Sequence, residues 1–156
     1  MFQVVALKAQ DFAPLFALSD EELKARNIVR DVAANKPGYP CRVSLQNAEI
    51  GERVLLLNYE HQPANSPFRA SHAIYVREGV ETAQPQPDEV PEALAASPML
   101  SVRAFSADGM IQTAELTPGA DAAAVFDALL ARDDVAYLQA HYAKYGCFAA
   151  TIVTAK

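Results

Sequence analysis

The dipeptide Asp108-Gly109, set between the runs 100–105 and 110–116, restricts the fold of this chain more than any other feature. An Asp-Gly pair between two alternating segments is the strongest short-range signal of a β-hairpin. It commits the chain to an antiparallel sheet. Other segments extend that sheet. Residues 2–7 form a short strand rich in branched and aromatic side chains. Residues 41–46 alternate, with Cys41, Val43 and Leu45 on one face and Arg42, Ser44 and Gln46 on the other. Residues 53–59 are apolar on both faces, as in a central strand. The link 47–51, with Gly51 as its turn, is short enough for a hairpin. Residues 72–77 and 147–154 add two more strands.

Helices enter at three places. Ser19 followed by Glu22 has the spacing of a capping box, and Asp20 and Glu21 suit the positive end of the helix dipole. That short helix ends near Asn27. The segment 35–40 holds two prolines and a glycine and cannot be regular structure. Pro118 and Gly119 stop the second hairpin strand, and Asp121 can cap a helix over 122–132. A further helix is expected over 134–145, because Val135, Leu138, Tyr142 and Tyr145 recur at helical spacing and Gly146 follows as a terminator. The resulting expectation is an α+β fold: a largely antiparallel curved sheet of about six to seven strands, two helices near the C-terminus and a short N-terminal helix. Residues 79–99 hold four prolines, four acids and no Lys or Arg, and read as a long exposed connection or a lid over a site.

With 156 residues, 51% hydrophobic and 21% charged, the chain is expected to form a single domain over 1–156. Its 13 basic residues against 19 acidic ones argue against a nucleic-acid binder that works by charge. No transmembrane run and no secretory leader are evident, so the expected location is cytoplasmic, with Cys41 and Cys147 as reduced, buried, structural thiols. The three histidines, His61, His72 and His141, have no metal-ligand spacing, and no phosphate loop or nucleophile motif occurs, so neither metal nor cofactor is expected.

Arginine outnumbers lysine eight to five in this acidic chain. Arg42, Arg69, Arg77 and Arg103 lie on or beside expected strands, and a guanidinium suits carboxylate or phosphate. The competing reading pairs them with acids such as Glu60, Glu78 and Glu115 on an open sheet face. The segment 58–72 joins two interior strands and concentrates Asn58, Tyr59, Glu60, His61, Arg69 and His72.

Three segments resemble a family of bacterial proteins known only as domain of unknown function 1203. They are Gly38-Tyr39-Pro40-Cys41-Arg42; Gly51-Glu52 with Leu55 through His61 and Ser66 through Ser71; and His141-Tyr142-Ala143 with Gly146-Cys147-Phe148. The resemblance implies no activity and no catalytic residue.

Function therefore rests on the residues. The first reading is a domain that binds a small anionic molecule in an Arg/His/Tyr-lined pocket, with Arg42, Tyr59, His61 and Arg69 as ligand contacts. The alternative is a small enzyme that uses His61 or His141 as general acid–base and an arginine as substrate anchor. The third is an interaction module without a pocket. A cavity holding at least two of Arg42, Arg69, His61 and His141 would favour the first two. In the binding reading, Arg42→Ala abolishes anion binding at little cost in stability.

Overall fold

A computed structural model describes residues 1–156. The expected single curved sheet is instead two antiparallel sheets. The larger contains five strands, β1 (Phe2–Val5), β5 (Leu100–Phe105), β6 (Ile111–Thr117), β7 (Tyr137–Tyr142) and β8 (Phe148–Thr154), in the order β1-β8-β7-β5-β6. The smaller contains β2 (Val29–Val32), β3 (Arg53–Gln62) and β4 (Ala70–Arg77), with β3 in the middle. Three short helices, α1 (Asp20–Ala25), α2 (Glu92–Ala95) and α3 (Ala122–Leu130), complete the fold with a few turns of 3-10 helix. No helix is long and apolar enough to cross a membrane.

The Asp-Gly hairpin forms as expected. β5 and β6 pair from Leu100↔Thr117 to Phe105↔Ile111, and Gly109 takes φ +81° at the turn. The Ser19–Glu22 capping box also forms, with both reciprocal hydrogen bonds present. Asp121 stands at the start of α3 but its side chain makes no cap bond, because a 3-10 turn over Gly119–Asp121 leads into the helix.

The largest correction concerns residues 134–145. They are not a helix. Tyr137–Tyr142 is β7, between β8 and β5 near the centre of the larger sheet. One face of this sheet packs against α3, where Phe126 and Leu129 join Phe2, Val102, Leu138 and Ile152. The other face meets the smaller sheet through Phe148, which packs with Leu55, Leu57, Ile74 and Val76. Leu138, Gln139, Ala140 and His141 are consequently all buried. A strand covered on both faces loses the period-2 signal, and the remaining spacing of large side chains imitates a helix.

Residues 41–46 are the second correction. They form a compact turn in which Leu45 N donates to Cys41 O at 3.1 Å and Leu45 takes φ +55°. Cys41, Val43 and Leu45 are buried as the alternation implied, but so is Arg42. The strand that pairs with β3 on this side is β2, whose residues are exposed or half-buried and so carry no hydrophobic signal. The connection 79–99 is not a loose exposed loop throughout. Ala93 and Leu94 of α2 enter the main core, and Gly119 lies so close to Leu94, Ala95 and Ser97 that a Cβ would sit 2.0 Å from the Leu94 carbonyl oxygen.

Candidate functional site

A cavity of about 540 Å³ opens between the edge of β4, the turn 37–47, the end of α2 and the β7–β8 hairpin. Its size is that of a small-molecule site, for which about 300–1,000 Å³ is usual. Arg42 forms part of its wall, with Tyr75 from β4 and Tyr142 from β7. His72, Lys144 and Cys147 also border it, and no Asp or Glu does.

Arg42 reaches this position because the turn 41–46 is fastened on both sides. Its N–H donates to Tyr75 O at 3.2 Å and its carbonyl accepts from Leu7 N at 2.9 Å. The side chain is 2% exposed. Nε donates to Phe148 O at 2.7 Å and Nη1 to Pro40 O at 2.6 Å. The guanidinium carbon stands 5.1 Å from the Tyr142 ring centroid, a cation–π arrangement. No carboxylate is ion-paired with it, whereas Arg30, Arg53, Arg69, Arg77 and Arg132 each have one. Nη2 makes no hydrogen bond within the protein and is not sealed away from the cavity.

Burial also sets the state of the tyrosines. It pushes the Tyr142 phenol up to about 12, and its hydroxyl donates to Ala93 O at 3.3 Å. Burial raises Tyr75 as well, with the positive charge of Arg42 opposing the shift. Both are therefore neutral O–H donors at pH 7. At the mouth, Tyr145 and Met99 are 76% and 40% exposed.

The other sequence candidates lie elsewhere. Arg69 is on the surface and pairs with Glu60 at 3.1 Å. It does not border the cavity, so Arg42 and Arg69 do not face one space. Its loop is fastened to the β5–β6 turn, where Ser66 Oγ donates to Gly109 O at 2.9 Å. Tyr59 packs between Phe12 and Phe148, at ring distances of 6.2 and 6.0 Å. Of Arg42, Arg69, His61 and His141, Arg42 alone borders the cavity, so the expectation that at least two of them share one pocket is not met.

His61 and His141 meet between the sheets with their ring centroids 4.9 Å apart at 78°, and His61 stacks on Phe148. The His61–Gln139 pair is doubly bonded: Gln139 Nε2 donates to His61 O at 2.8 Å, which makes Gln139 Oε1 the acceptor from His61 Nδ1–H, also at 2.8 Å. His141 Nδ1–H donates to Gly146 O at 2.9 Å, leaving Nε2 unprotonated, buried and without a partner. Burial first, then the charge of Arg103, drives His141 down to about 3, while burial lowers His61. Both rings are neutral at pH 7, and neither reaches the cavity. No group of three His, Cys, Asp or Glu side chains is placed to hold a metal ion.

The expectation for the thiols needs adjustment too. Cys41 is 1% exposed and its Sγ accepts from Ser44 N and Arg77 N at 3.4 and 3.3 Å. Cys147 is only partly buried and borders the cavity. Sequence reading passed over Tyr75, Tyr142, Lys144 and Cys147 because it placed two of them on a helix and gave the others no motif. One signal did point to Tyr142 and Cys147. Two of the three segments that carry the family resemblance, 38–42 and 141–148, converge on this cavity.

Neither a curated protein nor a solved structure matches the chain. A family model does, over residues 38–153, a span that takes in all of the cavity lining except Pro37, and the chain therefore belongs to the family described as protein of unknown function (DUF1203).

Proposed function

We propose that the chain is a binding domain for a small anionic molecule, which sits in the cavity between β4, α2 and the β7–β8 hairpin and is anchored by Arg42. The observation that carries this reading is a guanidinium 2% exposed, without a carboxylate partner, facing a cavity that no acid borders. A buried cation requires compensation, and main-chain carbonyls supply only part of it. An anionic ligand supplies the rest. The net charge of −6 does not oppose this, because Arg42 and Lys144 set the field at short range. The acid–base alternative has less support, since neither His61 nor His141 borders the cavity.

The test is a thermal-shift and calorimetric screen of small organic and inorganic anions against the protein and its Ala73→Trp variant. Ala73 is exposed on β4 and borders the cavity, so the indole fills the site without disturbing the core. Binding of an anion to the protein, lost in Ala73→Trp, supports the reading. Absence of any saturable anion binding, or binding unchanged by Ala73→Trp, overturns it.

A further inference from the structure

We infer that the ligand is a small monocarboxylate with an apolar body, an aryl- or alkyl-carboxylic acid, and not a phosphate ester. This inference rests on the anion-binding reading above and narrows it.

The first argument is the number of donors left free. Arg42 spends Nε and Nη1 on the carbonyls of Phe148 and Pro40, so Nη2 is the nitrogen left without a bond. The other polar groups along the wall are already engaged. Asn47 donates its backbone N–H and Nδ2 to Glu92, Ser97 Oγ donates to Met99 O, and Tyr142 donates to Ala93 O. Tyr75 and His72 are the exceptions, because neither the Tyr75 hydroxyl nor His72 Nδ1 has a partner in the protein, and Nδ1 is buried away from the open space. One guanidinium nitrogen and one phenol match the two oxygens of a carboxylate, with the His72 ring able to add one further contact through Nε2. A phosphate ester presents three free oxygens and up to two charges, and sites for it gather several donors, commonly from a row of backbone N–H groups. Lys144, exposed and with its Nζ 5.6 Å from the Tyr145 ring centroid, is the one further cation at the mouth.

The second argument is the rest of the wall. Leu56, Ala93, Pro98, Met99 and the Tyr142 ring supply an apolar lining. Tyr145 and Met99 remain exposed at the rim although large apolar side chains gain by burial. A ligand whose body is apolar covers both, while a sugar or nucleotide leaves its hydroxyls without partners.

Three compound classes are titrated into the protein: aryl- and alkyl-carboxylates such as phenylacetate and octanoate, the matching neutral amides, and inorganic phosphate with phenyl phosphate. The readouts are the thermal midpoint and the rate at which a thiol reagent labels Cys147, which a bound ligand shields. Carboxylates are expected to stabilise the protein and slow labelling. The amides are expected to bind at least tenfold more weakly and the phosphates not to bind. Tyr75→Phe, which removes only the hydroxyl, is expected to weaken carboxylate binding about three- to tenfold without shifting the midpoint of the free protein. Binding of phosphates in place of carboxylates overturns this inference and leaves the anion-binding reading standing. Amides equal to carboxylates, or no binding in any class, overturns both.

Discussion

Removing the Arg42 side chain tests how far this arginine is structural as well as functional. Arg42→Ala deprives the carbonyls of Phe148 and Pro40 of donors at 2.7 and 2.6 Å, linking segments 106 and 2 residues apart. A buried polar group left unpaired costs about 1–3 kcal/mol. Loss of the packed stem and of the contact with Tyr142 adds about 1 kcal/mol. Two effects oppose this: the substitution relieves the desolvation of a charge, and water from the adjoining cavity can reach a freed carbonyl. The balance is a destabilisation of about 3 kcal/mol, which for a chain of this length lowers the thermal midpoint by about 6–12 °C. Urea denaturation of the protein and of Arg42→Ala measures it, with Arg42→Lys expected to lie between them. The expectation of little stability cost, drawn from an exposed strand position, does not survive the 2% exposure. A loss under about 1 kcal/mol would refute the reasoning, because it would mean that the two carbonyls do not depend on the guanidinium.

Three further outcomes follow from the geometry. His141 is held at about 3 in the folded chain against an ordinary value of 6.5, so the unfolded chain takes up a proton that the folded one refuses. Its stability contribution, about 5 kcal/mol, is complete above pH 6.5 and is lost as pH falls toward 3. His141→Gln is expected to flatten stability between pH 6.5 and 4.5, above the range in which the lowered carboxylate of Glu52 begins to protonate, and an unchanged slope there in pH-dependent denaturation counts against the burial argument. Gly119→Ala places a Cβ 2.0 Å from Leu94 O and 2.9 Å from the carbonyl oxygens of Ala95 and Ser97, so it is expected to cost about 3 kcal/mol in denaturant; a neutral result means that this backbone yields. Arg69→Ala breaks an ion pair whose side chains are 56% and 44% exposed, and is expected to cost less than about 1 kcal/mol and to leave anion binding unchanged in the same titrations.

The parts of the fold that sequence revealed are those whose signal is local. The Asp108-Gly109 turn and the Ser19–Glu22 box depend on a few adjacent residues, and both form. The apolar positions Leu55, Leu57, Ile74, Val76, Val102, Leu129, Leu138 and Ile152 are all buried, because burial follows from hydrophobicity whatever the topology. What failed depends on context. β7 is covered by α3 on one side and the smaller sheet on the other, so its pattern carries no alternation. β2 pairs along an edge and buries nothing. The 41–46 turn has the alternation of a strand, although its path is fixed by Leu45 in the left-handed region and by bonds to Leu7 and Tyr75.

The candidate site was legible in the same uneven way. Arg42 stood out by residue type and position, but its companions did not. Arg69 and the histidines were grouped with it by their place in the chain, and the fold sends Arg69 to the surface and His61 and His141 between the sheets. Tyr142 and Cys147 join Arg42 only because β7 and β8 form a hairpin where a helix was expected. A contact between residues about 100 positions apart leaves no local pattern to read.

The guanidinium of Arg42 is itself observable. Its Nε–H and Nη1 group are buried and hydrogen-bonded, so their exchange with water is slow enough for nitrogen-15 NMR of the arginine side chains. Titration with phenylacetate, with Arg42→Lys used to assign the signal, is expected to shift the Arg42 resonances in a saturable way while those of Arg69 and Arg53 stay in place. Shifts confined to the surface arginines, or none at any guanidinium, would contradict the assignment of Arg42 as the anchor of an anion site.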